Sequence, residues 1–310
     1  MSEFTRRTFL KAVGASAAIL KFGGASHAAN PADPLEFLVV GDWGKPDRVA
    51  DATKVARQMG DTASARGCRF VISTGDNFYP QGVASVDDPK WRSAYEDVYS
   101  AASLQCPWYA VLGNHDYDGN VQAEIDYAST SPRWRMPSRH YLWTEMLADG
   151  NSADFFFIDT TPIARLSWFN QWLWADSEVQ FQLEWLEQSL ATSHARWKFV
   201  IGHHPVYSGG HHGNTSTMIE MVKPLLDRYG VQAYLNGHDH DLQHIVVDNV
   251  HYLTSGSGSS VRETAATGGT LFARAALGFM SARLTPDTLE IAFIDEAGNN
   301  LHSATISGVE

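Results

Sequence analysis

Arg69-Phe70-Val71-Ile72-Ser73-Thr74-Gly75-Asp76-Asn77-Phe78-Tyr79 decides how this chain is read. Phe70 to Ile72 is an apolar run of aromatic and β-branched residues, which predicts a buried strand. Gly75 ends that strand and lets the chain turn. A carboxylate just past the carboxyl end of such a strand lies where open α/β sheets place their ligands. Tyr79, three residues on, brings a phenol oxygen towards the same place. One such ending is a turn, so the reading depends on how the other strands end.

Four further strand candidates end alike. Leu35–Val40 runs into Gly41-Asp42, Pro107–Leu112 into Gly113-Asn114-His115-Asp116, Trp197–Ile201 into Gly202-His203-His204-Pro205, and Val231–Leu235 into Gly237-His238-Asp239-His240. Five endings of this kind in one chain are too many to be turns alone. Histidine is concentrated in the later ones: His203, His204, His211, His212, His238, His240 and His244 are seven of the thirteen. Oxygen and imidazole donors suit Mg, Mn, Fe or Zn. The two cysteines, Cys68 and Cys106, stand outside these motifs, which excludes a thiolate site. Their apolar surroundings predict buried thiols, and spacing leaves a disulfide between them open.

Helical patterns fall between the strands, over 47–66, 91–104, 178–194 and 216–228, with further strands near 139–146 and 154–158. Beyond 244 the pattern is one of short strands and turns. Alternation followed by all-strand sequence predicts an α/β fold in which a helix-covered sheet faces a second sheet. No repeat or linker divides it, so residues 29–310 are expected to form a single domain. The Gly/Ser/Thr-rich stretch 255–270 is expected to be mobile, and the loop with Trp168, Trp172 and Trp174 to be packed. His204, His211, His244 and His251 are expected to be supporting or surface residues. Asp116 and Asp239 are expected to orient neighbouring imidazoles or to cap turns.

The first 28 residues read as an address. Thr5-Arg6-Arg7-Thr8-Phe9-Leu10-Lys11, a weakly apolar middle and Ser26-His27-Ala28 resemble a bacterial twin-arginine export signal. Cleavage after Ala28 would leave 19 basic and 34 acidic residues, net −15 against −12 for the full chain. The expected location is periplasmic or secreted, with transient use of the export machinery and no stable membrane anchor. So acidic a chain is not expected to bind nucleic acid or an anionic membrane. Any attraction for a phosphate must be local.

In order, the five glycine-led motifs resemble those of the calcineurin-like metallophosphoesterases, and more narrowly those of the small, tartrate-resistant purple acid phosphatases. The similarity runs from about Leu35 to Ile306. It implies the αββα fold of that superfamily, a two-sheet β-sandwich flanked by helices. It also implies a two-metal site held by Asp42, Asp76, Tyr79, Asn114, His203, His238 and His240. Most of the superfamily carries Asp-x-His in the first motif; here it is Asp42-Trp43-Gly44, and Tyr79 would fill the gap. The more negative half of that set, with Asp42, phenolate Tyr79, His240 and shared Asp76, calls for Fe(III), since a phenol of pKa about 10 ionises in acid only beside a strong Lewis acid. Asn114, His203, His238 and the other half of Asp76 suit a divalent ion: Fe, Zn or Mn. His115 and His212 are the candidate acids or cationic clamps for the leaving group. The expected activity is hydrolysis of a small phosphorylated substrate, a monoester first and a diester, nucleotide or phospholipid headgroup as the alternative.

Overall fold

The structure, a computed structural model, describes residues 34–166 and 178–308. The export signal and Trp168, Trp172 and Trp174 lie outside the described residues. Among the described residues, fourteen strands follow in chain order. The first seven are β1 (Leu35–Val40), β2 (Phe70–Ser73), β3 (Trp108–Ala110), β4 (Trp134–Arg135), β5 (Tyr141–Met146), β6 (Ser152–Phe157) and β7 (Trp197–Ile201). The rest are β8 (Ala233–Asn236), β9 (Leu242–Val247), β10 (Val250–Ser255), β11 (Thr270–Arg274), β12 (Gly278–Leu284), β13 (Thr288–Asp295) and β14 (Asn300–Ser307).

They form two sheets of seven. One has the order β14-β13-β12-β1-β2-β3-β4, the other β11-β9-β10-β8-β7-β6-β5. In the first, β1, β2, β3 and β4 run parallel. In the second, β6, β7, β8 and β10 do so. Both parallel blocks therefore have a carboxyl edge, and all five motifs leave from those edges. Parallel strands are covered on both faces, which is why β1 and β2 are buried at every residue. Aromatic rings join the sheets: Phe155 of β6 meets Phe37 and Phe70 edge-on at 5.7 and 5.6 Å. The 18-residue helix Val49–Arg66 covers the first sheet, burying Ala52, Val55, Ala56, Met59 and Ala63 at three- and four-residue spacing.

Three local expectations are corrected. Residues 91–104 are not one helix but a wide turn, Trp91–Glu96, and a tight one, Ala102–Leu104. The Arg133 guanidinium donates to the carbonyls of Tyr99 and Leu104 at 2.7 and 3.2 Å, taking acceptors that a continuing helix would use. Residues 216–228 divide into Ser216–Met221 and Lys223–Arg228, because Pro224 has no N–H to carry the ladder through. The first part of the 255–270 stretch is packed: Ser255 to Ser259 are buried. Ser255 Oγ donates to Val39 O and Ser259 Oγ to Asp42 O, which locks this segment beneath the site.

Candidate metal centre

Each motif residue follows the end of a parallel strand, and the first sheet supplies Asp42, Asp76, Tyr79 and Asn114 while the second supplies His203, His238 and His240. Asp42, Asp76 and His238 have left-handed backbones, φ 58°, 50° and 71°. That conformation is uncommon for a residue with a side chain and clusters at functional sites. The glycines before these residues serve a second need, close approach. A Cβ at Gly113 would overlap Asp76 Oδ1, and one at Gly237 would stand 2.5 Å from Asp42 Oδ2.

All seven side chains come together around Asp76. On one side the Tyr79 hydroxyl lies 2.8 Å from both Asp42 Oδ1 and Asp76 Oδ2, and 3.3 Å from His240 Nε2. On the other, His203 Nε2 lies 3.4 Å from Asp76 Oδ1, 3.2 Å from Asn114 Oδ1 and 3.2 Å from His238 Nδ1. Asp76 thus turns one carboxylate oxygen to each group. Asp42, Asp76 and His203 alone form a buried set able to hold an ion.

Neighbours fix which nitrogen each imidazole presents. His203 Nδ1 donates to Thr74 O at 2.9 Å, leaving Nε2 for the centre. His240 Nδ1 is 2.8 Å from Ser260 Oγ, again leaving Nε2. Such outer partners set tautomer and orientation in metal sites. Thr160 Oγ1 accepts from the backbone N–H of His203 and His204, and the His204 ring is held by the same hydroxyl at 2.9 Å.

The Calcineurin-like phosphoesterase family matches residues 35–242. Purple acid phosphatase 4 of Arabidopsis thaliana is 39% identical over 292 residues, 89% of this chain and 84% of its own. Tartrate-resistant acid phosphatase type 5 of Homo sapiens is 39% identical over 246 residues, 76% of this chain and 75% of its own. Among solved structures, GAP50, described as the anchor in the inner membrane complex of Plasmodium, superposes with a TM-score of 0.79 at 26% identity, covering 90% of both chains. The chain belongs to the calcineurin-like phosphoesterases. Within that family it is a purple acid phosphatase relative and a metal-dependent phosphoesterase.

Gly44 explains how this member departs from the Asp-x-His pattern of the wider family. A Cβ at Gly44 would overlap the carbonyl oxygen of Asn77, so no side chain fits there. The segment that excludes it is the one that delivers Tyr79, whose N–H donates to Gly44 O at 3.1 Å.

The donor set fits a phosphoesterase metal pair. Asp42 and Asp76 are buried carboxylates, costly to leave without a compensating cation. Burial disfavours the ionised form of Asp76, but the adjacent His203 outweighs it and holds the carboxyl well below its usual range. His203 is pushed up to about 9, burial being outweighed by Asp76. Burial and the carboxylates of Asp42 and Asp76 push the Tyr79 phenol well above 10, so only a highly charged cation in their midst would make it a phenolate.

Of the proposed leaving-group residues, His115 donates its backbone N–H to Asp76 Oδ1 at 2.9 Å, and its ring lies 4.4 Å from that of Tyr79, tilted by 43°. His212 stacks on His238 at 4.1 Å, and its backbone N–H donates to Asp239 Oδ1. Its pKa is lowered by burial and by Arg262, with Asp239 opposing. His211 is exposed. Asp116 and Asp239 orient no imidazole. Asp116 accepts from the backbone N–H groups of Gly113, Asn77 and Phe78 and holds two motifs together.

Sequence reasoning missed several participants. Buried Asn77 donates to Val111 O and to Glu124 Oε2 while accepting from Ser73 Oγ. Glu124, pushed well above its usual range by burial and by Asp116, has no motif to announce it. Lys45 and Arg262, both at the centre's rim, were missed as well.

Proposed function

We propose that this chain is an exported acid phosphatase that hydrolyses phosphate monoesters, using Fe(III) and a divalent ion (Fe, Zn or Mn) that share Asp76. Asp42, Tyr79, His240 and Asp76 Oδ2 would hold the trivalent ion; Asn114, His203, His238 and Asp76 Oδ1 would hold the divalent one. The observation that carries this reading is the Tyr79 hydroxyl at 2.8 Å from two carboxylates, together with the Asn77 carbonyl that leaves no room for a side chain at position 44. Bound metals would supply an activated water and neutralise charge at phosphorus.

The protein's own groups then bind, orient and move protons. His115 Nδ1 is committed to Pro80 O at 2.6 Å, which leaves Nε2 for the leaving oxygen. His212 approaches from the side of His238. Protonated, His115 donates to the departing alkoxide as the ester bond breaks, so turnover needs acid; His212, whose Nε2 accepts from Arg262, can donate only from Nδ1–H. An anchor role like that of the Plasmodium relative is not favoured, since every candidate metal-ligand position carries a donor side chain. The mature protein is read as one catalytic domain, residues 29–310, in the periplasm or outside the cell after twin-arginine export.

A visible absorption spectrum of the protein purified in air tests the centre. A violet-to-purple band that disappears in Tyr79→Phe is expected. A colourless, fully metallated and active wild type would remove Tyr79 from iron and leave only a general two-metal phosphoesterase.

A further inference from the structure

On one flank of the centre stand two cations, Lys45 and Arg262, that form no salt bridge with a carboxylate among the described residues. Lys45 Nζ is 3.3 Å from His240 Nδ1 and 4.7 Å from the centroid of the Tyr79 ring. Arg262 Nη1 donates to His212 Nε2 at 2.7 Å, and the backbone N–H of Arg262 donates to His240 O at 2.8 Å. One lysine and one arginine thus bracket His240 and reach from Tyr79 to His212. Both are partly buried.

Their hydrogen-bonding capacity is largely unspent. With Nε2 of His240 turned to the centre, its Nδ1–H is the donor and Ser260 Oγ, at 2.8 Å, the acceptor. The Lys45 ammonium, which can only donate, then has no acceptor at that nitrogen. Arg262 uses one of five N–H groups on His212. Burial works against the charge on Lys45, Asp42 favours it, and Arg262 works against it again. A further anion between the two cations would relieve this. In a chain of net charge −12, two cations placed so close to an anion-processing centre form a local exception.

We propose that Lys45 and Arg262 form a subsite for a second phosphate joined through an anhydride oxygen to the one being attacked, so that the protein selects phosphoanhydrides such as inorganic pyrophosphate over simple esters. The inference rests on the phosphatase reading above and deepens it. In the reaction, water adds to the phosphorus held at the centre and the bond from that phosphorus to the bridging oxygen breaks. The second phosphate leaves with that oxygen and one proton from water, giving two hydrogen phosphates from one pyrophosphate and one water. Lys45 and Arg262 hold the departing phosphate, whose charge grows as the bond breaks. A guanidinium suits this task because its N–H groups match phosphate oxygens two at a time.

The test compares pyrophosphate with p-nitrophenyl phosphate on the metal-loaded enzyme, in the wild type, Lys45→Met, Arg262→Gln and the double variant. Each single change should lower the ratio of kcat/KM for pyrophosphate to that for p-nitrophenyl phosphate about tenfold, the worth of one charge-assisted hydrogen bond. Methylenediphosphonate, which cannot be hydrolysed, gives a second readout: its inhibition constant should rise by a similar factor, and Arg262→Lys should recover part of it. If the double variant slows both substrates equally and binds methylenediphosphonate as the wild type does, the subsite is refuted. If the metal-loaded wild type turns over neither substrate, the phosphatase reading itself fails, which is a different result. Arg262 also touches His212, so should Arg262→Gln slow both substrates, Lys45→Met decides.

Discussion

Two groups of histidines in this protein make contacts of nearly the same length and have opposite chemistry. At the metal centre, His203, His238 and His240 stand within 3.2–3.4 Å of one another's donors or of Asp42 and Asp76. Between the two sheets, His244 of β9 bridges His302 of β14 at 3.1 Å and His251 of β10 at 2.8 Å. This second group ties the two sheets together. Its surroundings are aromatic: Phe272 stacks on the His302 ring at 4.8 Å. The first group has buried carboxylates among its imidazoles and so asks for cations. The second has only imidazoles and rings, so burial and the like charges that His251 and His302 would carry push His244 down to about 3. Neighbours, more than residue type, decide whether a histidine cluster is a metal cage or a neutral clasp.

Breaking the cage should have the largest effect. Asp76→Asn removes the charge both halves share, and turnover should fall by more than about a hundredfold, beyond what losing an outer partner of a metal ligand costs. Metal content measured alongside should fall with it; a variant that keeps both metals and its activity would separate Asp76 from the centre. His212→Ala and His115→Asn come next. Each should retain metal and lose about a hundredfold in kcat, the lower range for a positioned proton donor. Loss of iron in either would make it structural instead.

The clasp is tested by stability, since it touches nothing catalytic. The unfolded chain binds a proton on His244 near pH 6.5, the folded chain only near 3. The clasp's contribution is therefore complete above pH 6.5 and is lost as pH falls towards 3, by up to about 1.4 kcal/mol per pH unit. Denaturant titrations between pH 7 and 4 should show a shallower pH slope for His244→Leu than for the wild type, with metal content unchanged. An equal slope would show that His244 is charged in the folded protein. The smallest effect belongs to the thiols. Cys68 and Cys106 are free, and burial pushes them up to about 12 and about 11. Alkylation of the native protein at pH 8 should be slow, because the thiolate is the reactive form; a non-reducing gel showing a crosslink would contradict this.

The convergence of the motif residues was legible in the sequence because each part of it is local: an apolar run, a glycine, a donor side chain. The clasp was not, since His302 lies 58 residues from His244 and meets it only when the last strand closes the other sheet. The same holds for Asp116 and Glu124, whose backbone and amide partners belong to other motifs, and for Lys45 and Arg262, which share a flank of His240 from opposite ends of the chain. The broken helix at 91–104 was hidden for a like reason, as the arginine that takes its carbonyls comes some thirty residues later. Periodicity reads what neighbours in sequence do and is silent on what distant segments supply.

Gly44 has a consequence for descent. A lineage carrying tyrosine at 79 cannot acquire the histidine of its cousins by one substitution at 44, because the carbonyl of Asn77 already occupies that volume. Nor would discarding the phenol first help, since the intermediate would have neither donor. Exchanging one way of completing the site for the other would need the Asn77–Tyr79 backbone to move away from position 44 at the same time. Such a choice, once made, is hard to reverse, and the missing side chain at position 44 marks it.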